Sequence, residues 1–87
     1  MDFEFDPAKS ASNKAKHGLD FEEAQALWKD AHRLTLPSAY PGEPRQLVIG
    51  RISQQHWTAV ISWRGNGIRL ISVRRSRDNE KKFYEKQ

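Results

Sequence analysis

Apolar and polar positions change period twice along this chain, and the changes divide it into helical and extended parts. Phe3, Glu4 and Phe5 alternate and predict a short strand. Asp6 followed by Pro7 reads as a helix start: the carboxylate can accept orphan backbone N–H groups, and proline's fixed φ suits the first helical position. The helix runs through a stripe of small residues, Ala8, Ala11 and Ala15, expected to face a close neighbour. His17 and Gly18 end it, with glycine free to turn left-handed. A second helix is predicted at once. Asp20 and Glu23 form a capping box, and Phe21, Ala24, Leu27 and Trp28 share one apolar face. Joined by about two residues, the two helices are expected to fold back as a helical hairpin.

After Asp30 the period shortens. Leu34 to Leu36 predicts a short strand, and Pro37 to Pro44 a loop holding three of the four prolines. Three strands follow, Arg45 to Ile52, His56 to Arg64 and Ile68 to Arg75. Their connections, Ser53 to Gln55 and Gly65 to Gly67, are short enough for hairpins. In the middle strand Trp57, Ala59, Ile61 and Trp63 share the face expected to be core, and Thr58, Val60, Ser62 and Arg64 share the other. Ile71 and Val73 are expected to anchor the last strand's core face, with Arg74 opposite. Ser76 opens a final helix, with Asp78 and Glu80 near its positive end and Phe83 and Tyr84 on its buried side. The predicted class is α+β, with helices against a mainly antiparallel sheet.

Eighty-seven residues suffice for one domain, residues 1–87, burying ~60–65% of its unfolded surface. With 37% hydrophobic and 30% charged residues the chain is polar, but its apolar residues are clustered as a globular core requires. Cysteine is absent, which fits a reducing cytoplasm. The acidic start lacks the layout of a signal peptide, and no apolar run approaches the ~20 residues of a membrane span.

Charge sharpens the picture. Residues 45–87 carry ten Lys or Arg against three Asp or Glu, whereas residues 1–44 carry five against eight. The arginines of the basic half are interleaved with strand residues, where a guanidinium can be fixed to grip a phosphate with two parallel hydrogen bonds. Nucleic acid is the partner this implies.

The chain resembles the BrnT toxin family in Phe5-Asp6-Pro7, in Lys16-His17-Gly18 and in Phe21-Glu22-Glu23-Ala24. The resemblance continues through Gly42, Glu43, Arg45 and Ile49-Gly50-Arg51 to Ile71-Ser72-Val73-Arg74, Glu80 and Tyr84. It implies a bacterial type II toxin with a RelE-like fold, a ribonuclease that arrests translation. It also implies a DNA-binding antitoxin of the BrnA type, through which the complex represses its own operon.

Metal-free RNA cleavage needs a base for the 2′-hydroxyl proton, a cation for the pentavalent phosphorane and an acid for the leaving 5′-oxygen. The cation candidates are Arg51, Arg64 and Arg74, near strand ends or edges. His17 and His56 are acid–base candidates, and Tyr84 can stack on a base or act as an acid. Arg45, Arg69, Arg75 and Arg77 are expected to bind RNA. Each has a plainer reading: His17 meets a helix dipole, His56 is a surface residue beside a turn, strand arginines protect edges, and Tyr84 is a core aromatic. Three scattered histidines offer no metal-ligand spacing, and no glycine loop for a cofactor phosphate is present, so neither metal nor cofactor is expected. Two other classes compete: a non-catalytic RNA- or DNA-binding module, and a pure interaction partner whose basic face docks an acidic antitoxin segment.

Overall fold

The computed structural model describes residues 2–38, 42 and 44–87. Of the predicted loop, Ala39, Tyr40, Pro41 and Glu43 lie outside the described residues, as does Met1. The described elements are β1 (Asp2–Glu4), α1 (Pro7–His17), a 3-10 helix (Glu23–Lys29), β2 (Leu34–Pro37), β3 (Gln46–Ile52), β4 (Gln55–Arg64), β5 (Gly67–Arg75) and α2 (Asp78–Glu85). The strands form one mixed sheet in the order β1-β5-β4-β3-β2. Among the described strands only the β1–β5 pair is parallel; the other three are antiparallel, β3–β4 and β4–β5 as their short connections predict. None of the described helices is long and apolar enough to cross a membrane.

Local signals set the helix ends. Asp6 Oδ1 accepts the Ala8 N–H at 2.8 Å, and Gly18 sits at φ 90° with its N–H on the Lys14 carbonyl. Asp20 and Glu23 exchange the two capping-box bonds, at 2.7 and 3.0 Å. What they start is a 3-10 helix rather than an α-helix. It still buries Ala24 and Leu27 against the sheet, with Phe21 buried in the turn before it.

The helical hairpin does not form: α1 packs mainly along β5 and the 3-10 helix against β3. Ala8, Ala11 and Ala15 are exposed, and α1 turns Ser10 and Asn13 inward instead. The reason is hydrogen bonding. Asn13 bonds both the N–H and the C=O of Val73 as well as the Leu19 carbonyl, and Ser10 Oγ accepts the Phe21 N–H. At the other flank, Gly50 lets the 3-10 helix approach, since a Cβ there would meet Leu27 Cδ2 at 3.0 Å.

The core lies between the sheet and the segment from Leu19 to Leu27, with Val48, Trp57, Ala59, Ile61, Ile68, Leu70 and Val73 from the strands. Two expectations about this face are corrected. β5 bulges at Ile71, because Val60 pairs with Ser72 and Ile61 with Leu70. The bulge moves Ile71 off the core row, so Leu70 and Val73 are the anchors. Trp63 is 53% exposed, because β3 pairing stops at Gln46 opposite Ile61 and β4 runs on beyond it. Its indole N–H donates to Gln46 Oε1.

The opposite face carries Ile49, Thr58, Ser72 and Arg74, and α2 lies across it. α2 starts two residues later than predicted, with Arg77 as cap and its N–H on Glu80 Oε1 at 2.8 Å. Glu80 is buried there, whereas Phe83, expected inside, is 52% exposed.

Candidate nucleic-acid interface and active site

The two ends of α2 each organise a polar cluster. At its start, Glu80 is 4% exposed and receives four donors. Arg74 supplies two parallel bonds of 2.7 and 2.8 Å, Thr58 Oγ1 one of 3.0 Å, and the Arg77 amide the fourth. Burial alone would raise the Glu80 pKa, but these donors outweigh it and bring the value down to about 2. The same pair raises that of Arg74. Beside the pair runs a groove of ≈ 590 Å³ with Leu36, Leu47 and Val60 in its wall and Arg45, Arg74 and Arg77 along it.

At the other end of α2, the β3–β4 hairpin turns tightly through Ser53 at φ 57°. That turn sets Arg51 directly opposite His56. Asp30, just past the 3-10 helix, reaches this end of the sheet. Its Oδ2 accepts the Arg51 N–H at 2.9 Å and the Tyr84 hydroxyl at 2.7 Å, and its Oδ1 accepts the His32 N–H. Burial opposes ionisation of Asp30, but these three donors lower its pKa overall. Tyr84 is pushed up to about 12 by burial and by its bond to Asp30, with Arg51 opposing. It is therefore a neutral hydroxyl near pH 7, a donor and not a base.

The Tyr84 ring meets the His56 ring edge-on at 5.0 Å, and His56 Nε2 lies 3.1 Å from Glu85 Oε1. An open basin of ≈ 500 Å³ is lined here by Lys29, Asp30, His32, Arg51, Ser53 and Tyr84. Two cations, a neutral hydroxyl and the His32 imidazole thus border one solvent-filled space, and His56 meets the Tyr84 ring beside it. Among the described residues, no three His, Asp or Glu side chains converge as a metal cage.

Of the six residues named for catalysis, the structure brings Arg51, His56 and Tyr84 together. Arg74 lies at the opposite end of α2, bound to Glu80. Arg64 is at the far end of β4 from His56, roughly 26 Å along the strand. It and Arg69 lie 3.9 and 4.0 Å from Glu4. His17 is exposed on the last turn of α1, an element that packs along β5 rather than near the basin. Arg45 and Arg77 join Arg74 at the groove, while Arg75 lies over the Trp57 ring at 5.5 Å.

Sequence reasoning missed Asp30 and its role. One signal was present: a carboxylate just past a helix C-terminus opposes the helix dipole, so a partner from elsewhere was implied. It also missed the pairing of His56 with Glu85, which lie 29 positions apart in sequence.

Residues 5–80 match the family model described as ribonuclease toxin, BrnT, of type II toxin-antitoxin system. No curated protein matches the sequence.

Proposed function

The chain belongs to the BrnT family of type II toxin–antitoxin ribonuclease toxins, and from that premise we propose that it is a metal-independent endoribonuclease that cleaves mRNA and arrests translation. On this reading residues 1–87 act as one RelE-like toxin domain in the cytoplasm. A BrnA-like DNA-binding antitoxin neutralises it and connects the pair to operator DNA. The observation that carries the reaction is the meeting of Arg51 and Tyr84 at one open basin. Arg51 can hold two non-bridging phosphate oxygens as charge develops on them. Tyr84 can donate a hydrogen bond to the same phosphate or stack on a base. Arg45, Arg74 and Arg77 extend the phosphate contacts along the groove, and Arg64, Arg69 and Arg75 serve strands that pass beyond it. His17 is assigned only an outlying contact, since α1 does not border the basin.

The groove also supports the interaction-partner reading, because apolar walls with an arginine rim suit an acidic, partly apolar antitoxin segment. One experiment separates them. Purified protein is incubated with labelled single-stranded RNA in excess EDTA. Scission leaving 5′-hydroxyl ends is expected, together with growth arrest on expression and recovery when the antitoxin is co-expressed. Intact RNA alongside tight antitoxin binding would favour the interaction partner.

A further inference from the structure

We propose that His56 is the general base of this centre, held by Glu85 and working beside Arg51; the assignment rests on the ribonuclease reading above. Arg51 and His56 are register partners on β3 and β4. Directly opposed residues of an antiparallel pair carry Cβ atoms roughly 4.5–5.5 Å apart on one face. A cation and a proton acceptor so placed can address one phosphodiester and its neighbouring 2′-hydroxyl together.

The ring is also oriented. Nε2 lies 3.1 Å from Glu85 Oε1, so its proton points at that carboxylate and Nδ1 carries the lone pair. Among the described residues Nδ1 has no hydrogen-bond partner. The side chain is only 16% exposed, and the edge-on Tyr84 ring restricts its rotation. A base held by a third group in this way is the arrangement that activates hydroxyl nucleophiles in general. The charged and titratable groups facing it are Arg51 from β3 and Tyr84 and Glu85 from α2, with Asp30 behind Tyr84.

The other groups nearby are less suited. Asp30 already accepts three hydrogen bonds. Tyr84 has a proton to give rather than a lone pair to offer. His32 borders the basin but has no carboxylate orienting its ring among the described residues.

In the step itself, Nδ1 of His56 takes the 2′-hydroxyl proton. The 2′-oxygen forms its bond to phosphorus, and the P–O5′ bond breaks. The 5′-oxygen leaves with that electron pair and takes a proton from water, while Arg51 neutralises the non-bridging oxygens. The products are a 2′,3′-cyclic phosphate and a 5′-hydroxyl, and His56 returns its proton to solvent.

The test uses the full chain, a labelled single-stranded RNA of mixed sequence and, for binding alone, the same strand with 2′-O-methyl riboses. His56→Ala and His56→Gln are first checked for folding by thermal unfolding. Both are expected to bind the methylated strand nearly as well as wild type and to cleave RNA about 10²–10⁴-fold more slowly. Added imidazole is expected to restore part of the His56→Ala rate in proportion to its concentration, which a merely structural role would not produce. Should the alanine variant fail to fold, the glutamine variant decides, because its amide can still donate to Glu85. A folded variant that cleaves at the wild-type rate overturns the assignment alone. So does imidazole rescue of His32→Ala in place of His56→Ala. If the wild type itself leaves RNA intact, the ribonuclease reading falls and this assignment falls with it.

Discussion

Glu80 is buried and held by four donors, and its protonation is tied to folding. Its folded pKa, about 2, lies below the ordinary value of 4.5. Between those values the unfolded chain binds the proton that the folded chain refuses. The group therefore contributes stability that is complete above pH 4.5 and lost as pH falls towards 2. Glu80→Gln removes the charge from a part-buried pair and weakens its charged hydrogen bonds, so a loss of about 1–3 kcal/mol is expected in urea unfolding at pH 7. The variant should also lose that part of the acid sensitivity between pH 4.5 and 2. Equal midpoints for variant and wild type would show that the pair contributes nothing net. For RNA, both terminal nitrogens of Arg74 already face Glu80. A phosphate reaching Arg74 must compete with a fixed carboxylate, whereas at Arg51 the carboxylate of Asp30 holds the backbone N–H.

At the scale of elements, two side chains finish the sheet where its edge strands stop. β1 pairs with β5 only through Arg69, and beyond it Asn13 of α1 takes the free N–H and C=O of Val73. β2 pairs with β3 only from Gln46 to Ile49, and beyond it Asp30 takes the Arg51 N–H. Asn13→Ala should cost about 2–5 kcal/mol, since it leaves buried backbone groups unpaired. A variant with an unchanged urea midpoint would mean that water replaces the amide at no cost. These contacts also mark what the sequence could convey. Signals acting within a few residues, such as Asp6 with Pro7, Gly18, and Asp20 with Glu23, were legible, and so were the three long strands. Asn13 and Val73 are 60 positions apart, so the alanine stripe looked like the better inward face of α1. Trp63 and Ile71 misled for a related reason. Alternation carries no sign of a bulge, nor of where the neighbouring strand ends. At the site, the types of Arg51 and Tyr84 were readable, but their meeting depends on Asp30, which sequence spacing leaves unassigned.

For the whole molecule, the charge split follows the architecture. The basic half supplies β3, β4, β5 and α2, and the acidic half supplies the peripheral β1, α1, the 3-10 helix and β2. The molecule measures 33 × 27 × 24 Å, several times the screening length of about 8 Å at physiological salt. A polyanion therefore senses one face at a time and not the net charge of +4. If roughly three to five phosphates are contacted, the log–log salt slope on a single strand is expected to be about −2 to −3.5, measured by titration at several ionic strengths. A flat slope would remove the electrostatic basis of RNA binding. The finished sheet edges carry a last consequence. Edge strands of three and four residues leave little backbone onto which a neighbouring copy could knit itself. A sheet with such short edges is a poor template for copy-to-copy pairing, so its strands are satisfied within one chain and not by a second.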